Sequence, residues 1–504
     1  MLSLPTELWL LIGEYLSKHD LCAAIQVNHT LYSQLTPILY RDFVICGGSI
    51  RSRGLFTWPN VGGMSDSQYI ERLFATRERL KTIQRSSILM DAIKACTLCH
   101  FDHQSRSHEN HIANALKRVL QEAVTFISRL PHCCDIVVHV VHISNRQLQQ
   151  LVSHHSRPVT LSIRAPIILD GDPANPSDSQ YQCSLQNLTI SEAEGSRQSI
   201  RELVEWSMSR DLQSFSVQCI RSTHLALFRN QLSQNSFPHL RQLELVHDLT
   251  STKVLSGLPM LEELFLRFNS PLIGLTPTVL PRLRSFRGSG EQARCIVPGR
   301  PIRVLHIQHF KGILPSSAGV DPSAAPNFGS TAPILELTVK DEVPSVVIGL
   351  GRITEICPSL QVLQLSLNSV LTRIDAVSVL GICEEIVSPM RQNSFTTEYM
   401  PKLYRLKHLR HLDFKYLCHD PSNRALAWER SMCEAFRMRS APNIHHISLS
   451  PVVEWDRAPY DRAWIPSGEG ISANRGRKLG EIEWTHPLMI EAQWPEAPFP
   501  LNEQ

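Results

Sequence analysis

The sequence predicts an α/β chain in which a small three-helix unit precedes a solenoid of stacked, repeated strand units. Two observations carry that expectation. Within the first 45 residues, apolar side chains recur at three- and four-residue steps, the period of a helix face. Beyond them, short pieces of the form L-x-x-L-x-L return along most of the chain, and residues in such a piece alternate between the two sides of a strand. Composition agrees with both. Of 504 residues, 42% are hydrophobic and 19% charged, which suits a large core and argues against extensive disorder.

The helical unit reads as follows. Pro5 suits the first turn of a helix, where its missing N–H has no partner to lose. Leu8, Leu11, Ile12, Tyr15 and Leu16 then share a face. Ser17 to Asp20 breaks the helix, and Asp20 is expected to cap a second one, "DLCAAIQV", with Leu21, Ala24, Ile25 and Val27 apolar. Asn28 or Thr30 opens a third, with Leu31, Tyr32 and Leu35 inward before Pro37. Three helices of roughly ten residues are too small to bury this surface among themselves. Some of it wants a partner. Pro5, Glu7, Glu14, Lys18, His19 and Asp20 interrupt the apolar residues, so the stretch reads as folded structure and not as a secretory signal. No window approaches the roughly 18 uncharged residues of a membrane span.

From Cys46 the run "CGGSIRSRGLFTWPNVGGMSDS" reads as a linker, followed by two helical stretches, "QYIERLFATRERLKTIQRSSILMDAIKAC" and "HIANALKRVLQEAVTFISRLP". The repeated pieces come next. They are "LQNLTI" at Leu185, "LQSFSV" at Leu212, "LRQLEL" at Leu240, "LEELFL" at Leu261, "IRVLHI" at Ile302, "ILELTV" at Ile334, "LQVLQL" at Leu360, "LRHLDF" at Leu409 and "IHHISL" at Ile444, with weaker members at Cys133, Pro158 and Leu283. Their starts are mostly about 20 to 30 residues apart, the period of leucine-rich repeats, and no unit can bury its leucines alone. Between strands, stretches such as "THLALFRNQLSQNSFP" place Leu225, Phe228 and Leu232 on one helical face, and a Pro before the strand in "FPHLRQLEL" and "LPMLEELFL" forces extension. From Val452 the repeats stop, and a Trp- and Pro-rich end is expected to cover the last strand edge. The expected organisation is 1–45 helical unit, 46–130 linker and helical cap, 131–451 solenoid, 452–504 cap or tail.

In each repeat strand the positions between the leucines face the open side of the sheet. Glu244, Phe265, Arg267, His306, His411, Asp413 and His446 are the residues picked there as candidates to bind a protein target. Gln242, Glu263, Arg287, Gln308, Lys415 and Ser448 fall on the same side.

Little else suggests chemistry. Cys96 and Cys99, with His100, His103, His108 and His111 behind them, have the ligand types zinc prefers, but at a shorter interval than in familiar fingers. Gly349 and Gly351 lack the third glycine of a dinucleotide fingerprint, Thr354 standing in its place. There is no P-loop, no H-E-x-x-H and no G-x-S-x-G. No cofactor and no catalytic residue is expected. Fifty Lys and Arg against 47 Asp and Glu give a formal charge of +3 with no dense basic run, so no nucleic-acid or membrane partner is expected. Thirteen irregularly spaced cysteines read as reduced thiols of a cytoplasmic or nuclear protein.

"LPTELWLLIGEYLSKHDLCAAIQVNHTLYSQLTPILY" resembles the F-box, with Leu4-Pro5, Glu7-Leu8, Ile12, Tyr15-Leu16, Asp20-Leu21, Val27-Asn28 and Leu39-Tyr40 in its register. Where the family often has an aromatic residue after the second helix, this chain has Leu31 followed by Tyr32. The resemblance implies docking on the Skp-type adaptor, and through it the cullin scaffold, of an SCF ubiquitin ligase. Leu4, Pro5, Leu8, Ile12, Leu16, Leu21 and Val27 would supply that interface or its immediate support. The repeats resemble the irregular leucine-rich kind of fungal F-box proteins, most of them lacking an Asn after the strand; Asn269 and Asn368 are the exceptions. Together the two resemblances imply a non-catalytic substrate receptor with an unknown protein target. The alternative is a leucine-rich scaffold outside any ligase.

Overall fold

Side chains at alternate positions build the sheet, and their rows can be followed from strand to strand. The computed structural model describes residues 5–47, 66–101, 110–153, 158–164, 167–169, 185–191, 193–218, 222–235, 237–245, 252–267, 275–308, 326–341, 353–367, 405–413, 433, 443–448, 454–457 and 464–467. Leu4, His103, His108, Asn269, Gly349, Gly351, Asn368, Lys415, most of the expected linker and the chain after residue 467 lie outside them. Two compact units emerge, Met1–Phe268 with Val279–Arg282, and Asn269–Thr278 with Leu283–Gln504. Both are mixed α/β with parallel strands.

The first unit opens with α1 (Thr6–Tyr15), α2 (Lys18–Ala24) and α3 (His29–Tyr40). Pro5 stands at the N-cap of α1, one position before the first turn. The α2 cap is Ser17, not Asp20. The Ser17 Oγ accepts from the Asp20 N–H at 3.2 Å, and its hydroxyl donates to the Asp20 carboxylate at 2.7 Å. Asn28 caps α3, its Oδ1 accepting from Leu31 N–H at 2.8 Å, and the helix continues through Pro37. Leu21, Leu31 and Leu35 form the inner cluster, with Trp9, Leu16, Ala24, Ile25, Ile38 and Leu39 packed on it.

Arg41 leads into β1 (Asp42–Cys46), which pairs in parallel with β2 (Ala95–Phe101), so strands begin well before the first recognisable repeat. Helices α4 (Asp66–Gln84) and α5 (Ser87–Ala92) lie between these strands in sequence, and α6 (Asn110–Ser128) leads to β3 (Asp135–Ser144). Then come α7 (Asn145–Ser153), β4 (Val159–Arg164), β5 (Ile167–Leu169), β6 (Leu185–Ser191), β7 (Glu194–Gly195), α8 (Arg197–Ser207), β8 (Ser214–Gln218), α9 (Ser222–Gln234), β9 (Gln242–Leu245), α10 (Thr252–Ser256) and β10 (Glu263–Leu266). The main ladder runs β1-β2-β3-β4-β6-β8-β9-β10, parallel throughout. One in-register row is Phe43, Cys96, Ile136, Leu161, Leu188, Phe215, Leu243 and Leu264, every member buried. Helices cover this side. Phe228 of α9 stacks on Phe215 at 6.3 Å, and Phe126 of α6 meets Phe43 at 5.8 Å. Phe228 and Leu232 are buried as their helical spacing predicts.

The second unit holds β11 (Ser285–Ser289), α11 (Gly290–Ile296), β12 (Val304–Gln308), β13 (Glu336–Asp341), β14 (Val362–Leu367), β15 (His411–Asp413) and β16 (His446–Ser448), the strands parallel in sequence order. Its inner row is Phe286, Leu305, Leu337, Leu363, Leu412 and Ile447. Two antiparallel strands follow, β17 (Glu454–Arg457) pairing with β16 and β18 (Trp464–Ser467) pairing with β17, and Trp455 and Trp464 are buried. Part of the Trp-rich end therefore does cover the strand edge left by the last repeat.

The turn from β11 into α11 is a capping box. Ser289 Oγ accepts from Gln292 N–H, and the Gln292 side chain accepts from Ser289 N–H at 3.0 Å. Gly288 makes room for it, since a Cβ there would lie 2.6 Å from Gln292 Oε1. Ser289→Ala is expected to lower stability by about 1 kcal/mol in urea unfolding, the usual cost of a lost N-cap. Among the described residues no helix is long and apolar enough to cross a membrane.

Candidate protein-docking surfaces

Helix α1 is apolar on two sides, and only one side is used. Trp9, Gly13 and Leu16 turn inward. Gly13 lets α1 approach α3 closely, because a Cβ at that position would sit 2.5 Å from Ile38 Cδ1 and 2.9 Å from Leu35 Cδ2. The opposite stripe stays in solvent, with Leu8 43%, Leu11 52%, Ile12 39% and Tyr15 85% exposed. Val27, after α2, is 71% exposed, and Tyr32 and Pro5 are exposed too. The candidate adaptor residues therefore divide. Pro5, Leu8, Ile12 and Val27 face outward, whereas Leu16 and Leu21 belong to the inner cluster and hold the helices in place.

The open face of the first unit is a strip of hydroxyls and amides. One row is Thr160, Asn187, Ser214, Gln242 and Glu263; the next is Ser162, Thr189, Ser216, Glu244 and Phe265. Neighbouring strands bond sideways across it. Asn187 Nδ2 donates to Thr160 Oγ1 at 2.9 Å and the Ser216 hydroxyl to Glu244 Oε2 at 2.7 Å. Arg267 Nη2 donates to Glu244 Oε1 at 2.8 Å while its guanidinium lies 4.8 Å from the Phe265 ring centre. Glu244, Phe265 and Arg267 thus form one cluster, an aromatic plate beneath a cation held by a carboxylate. Near the other end of the sheet, burial first and the Asp42 carboxylate second raise the pKa of Asp135.

No protein-family model matches the chain, and no curated protein matches it.

In the second unit His411 and His446 are register partners whose rings stack at 4.0 Å with 18° between planes. His446 Nδ1 lies 2.7 Å from the carboxylate of Asp456 on β17. Sequence reasoning missed Asp456, which follows the last repeat and reaches His446 only because β17 turns back antiparallel. His306 is not part of this group. It sits three strands away on β12, between Arg287 and Thr338. Asp413 departs from the expected open surface, being only 3% exposed. His411, His446 and Asp456 form one contiguous group on this face.

The zinc reading of Cys96 and Cys99 meets a geometric obstacle. Three residues apart on a strand, they leave opposite faces of β2. Cys96 pairs with Phe43 and Ile136 in the buried row, and Cys99 with Cys46 and His139 on the other side. Among the described residues no group of three or more His, Cys, Asp or Glu could hold a metal.

Proposed function

We propose that this chain is the substrate-receptor subunit of an SCF-type ubiquitin ligase. Residues 5–45 act as an F-box on a Skp-type adaptor, and the parallel strand arrays act as an irregular leucine-rich-repeat solenoid whose open face holds a protein target. The observation that carries the reading is the uncovered stripe Leu8, Leu11, Ile12 and Tyr15 on a helix whose other face already packs. A capping unit would have spent that surface on its own fold. An unpartnered apolar stripe of this kind is what a docking helix presents. The proposed mechanism is proximity: one chain binds both the ligase core and the target, so ubiquitin transfer proceeds within a complex and not between free molecules.

Co-purification tests it. The full chain is expected to retain the adaptor and cullin, and Leu8→Asp with Ile12→Asp is expected to weaken adaptor binding at least about 100-fold. Each buried apolar side chain contributes roughly 1.5–3 kcal/mol, and an unpaired carboxylate opposes burial. Both positions are exposed, so circular dichroism should not change. Retention of the adaptor by the double variant, or its absence from the wild-type complex, would overturn the proposal in favour of a scaffold outside any ligase.

A further inference from the structure

Cys46 ends β1 and Cys99 lies directly opposite it on β2, the two being register partners. Adjacent strands run about 4.8 Å apart, and a disulfide spans Cα separations of about 4.4–6.8 Å. Both side chains leave the same face of the sheet and share a hydrogen bond. Both are reduced thiols, Cys46 exposed and Cys99 buried. The end of β1 is held in position by Gly47 N–H, which donates to the Cys99 carbonyl at 3.0 Å, and by Thr76 Oγ1, which donates to the Cys46 carbonyl at 3.2 Å. A second thiol pair, Cys96 and Cys133, also shares a hydrogen bond but is closed to solvent on both members.

We infer that Cys46 and Cys99 are an oxidation site that a hydroperoxide converts to a cross-strand disulfide. Cys46 attacks first because it is the one in solvent. Its sulfur bonds to one peroxide oxygen as the O–O bond breaks; with hydrogen peroxide the departing hydroxide takes the thiol proton and leaves as water. The Cys99 sulfur then displaces hydroxide from the Cys46 sulfenic acid, the S–S bond forms, and the Cys99 proton leaves with that hydroxide as a second water. Two thiols are oxidised by two electrons and one peroxide is reduced to two waters. The hydrogen bond to Cys46, with burial second, pushes the Cys99 thiol far above its ordinary pKa. The order of attack follows from access: Cys46 is exposed and meets the peroxide, while buried Cys99 lies behind it as its register partner. The bond would fasten the strand that leaves α3 to its neighbour, independently of what the N-terminal helices bind.

The test treats the full chain with hydrogen peroxide, blocks remaining thiols with iodoacetamide and maps peptides without reductant. A linked peptide joining Cys46 to Cys99, reversed by dithiothreitol, is expected, with Cys96 and Cys133 left as thiols unless the protein is unfolded before blocking. Cys99→Ser should leave a Cys46 sulfenic acid that dimedone labels, and Cys133→Ser should leave the link intact. Wild-type Cys46 that advances to sulfinic acid, or stays alkylatable, while Cys99 remains a thiol would overturn the inference. So would a link from Cys46 to any other cysteine.

Discussion

Arg300→Met is expected to destabilise the second unit by about 1–3 kcal/mol, the cost of leaving buried hydrogen-bond partners unsatisfied. Arg300 is fully buried. Its Nη2 donates to the Thr276 carbonyl at 2.7 Å, and its Nη1 lies among the carbonyls of Cys295, Ile296 and Pro298 at the C-terminal end of α11. Those are the orphan acceptors a helix leaves at its end, where the dipole also favours a cation. Burial lowers the guanidinium pKa, so these acceptors offset the cost of keeping a charge there. The main chain is committed as well: Arg300 O accepts from Thr331 N–H at 3.0 Å and from the Ser330 hydroxyl at 2.9 Å. Met fills much of the volume but donates nothing, leaving several carbonyls dry. Lys keeps the charge without the planar fork and should recover only part of the loss. Urea unfolding followed by circular dichroism measures both variants. A loss below about 1 kcal/mol for Arg300→Met would mean that water, not the guanidinium, satisfies those carbonyls.

The repeated strands were legible because each places leucines at fixed offsets in a single short run. Every piece read from Cys133 to Ile444 contributes residues to a strand, including the weak ones that became β3, β4 and β11. What escaped was local sequence without that form. "DFVIC" passed as the end of a helical unit and the start of a linker, and "ACTLCHF" drew attention for its ligand types although both are strands. The open-face groups were harder still. Glu244 and Arg267 are 23 residues apart and meet only because β9 and β10 align in register. The partner of His446 is Asp456, supplied by an antiparallel return that no repeat pattern encodes. Lateral contacts depend on register between units, and the spacing within one unit does not contain it. At the N-terminus, periodicity found the apolar residues of α1 but not the division between them. Trp9 and Gly13, not Leu8 and Ile12, face α3, because the glycine brings the two helices close on that side.

Leu35→Ala is expected to melt the three N-terminal helices. Helices of 10, 7 and 12 residues are marginal by themselves, and their inner cluster has just three buried apolar side chains among the described residues, Leu21, Leu31 and Leu35. Leu35 is fully buried beneath the crossing of α1 and α3. Truncating it costs about 2–5 kcal/mol, depending on how far the neighbours close the cavity, and a unit this small has little stability to lose. Hydrogen exchange should show protection falling across residues 6–40 while the strands from β2 onward keep theirs. Adaptor binding should fall with it, since melted helices cannot hold the outer stripe in one plane. Leu8→Asp with Ile12→Asp is expected to lose the same binding with exchange protection intact, because those side chains lie outside the cluster. The pair of variants separates the surface proposed to dock from the core that presents it. If Leu35→Ala kept both protection and adaptor, the helices would be held by something other than the leucine cluster, and the outward stripe would lose its claim to be a surface left over after folding.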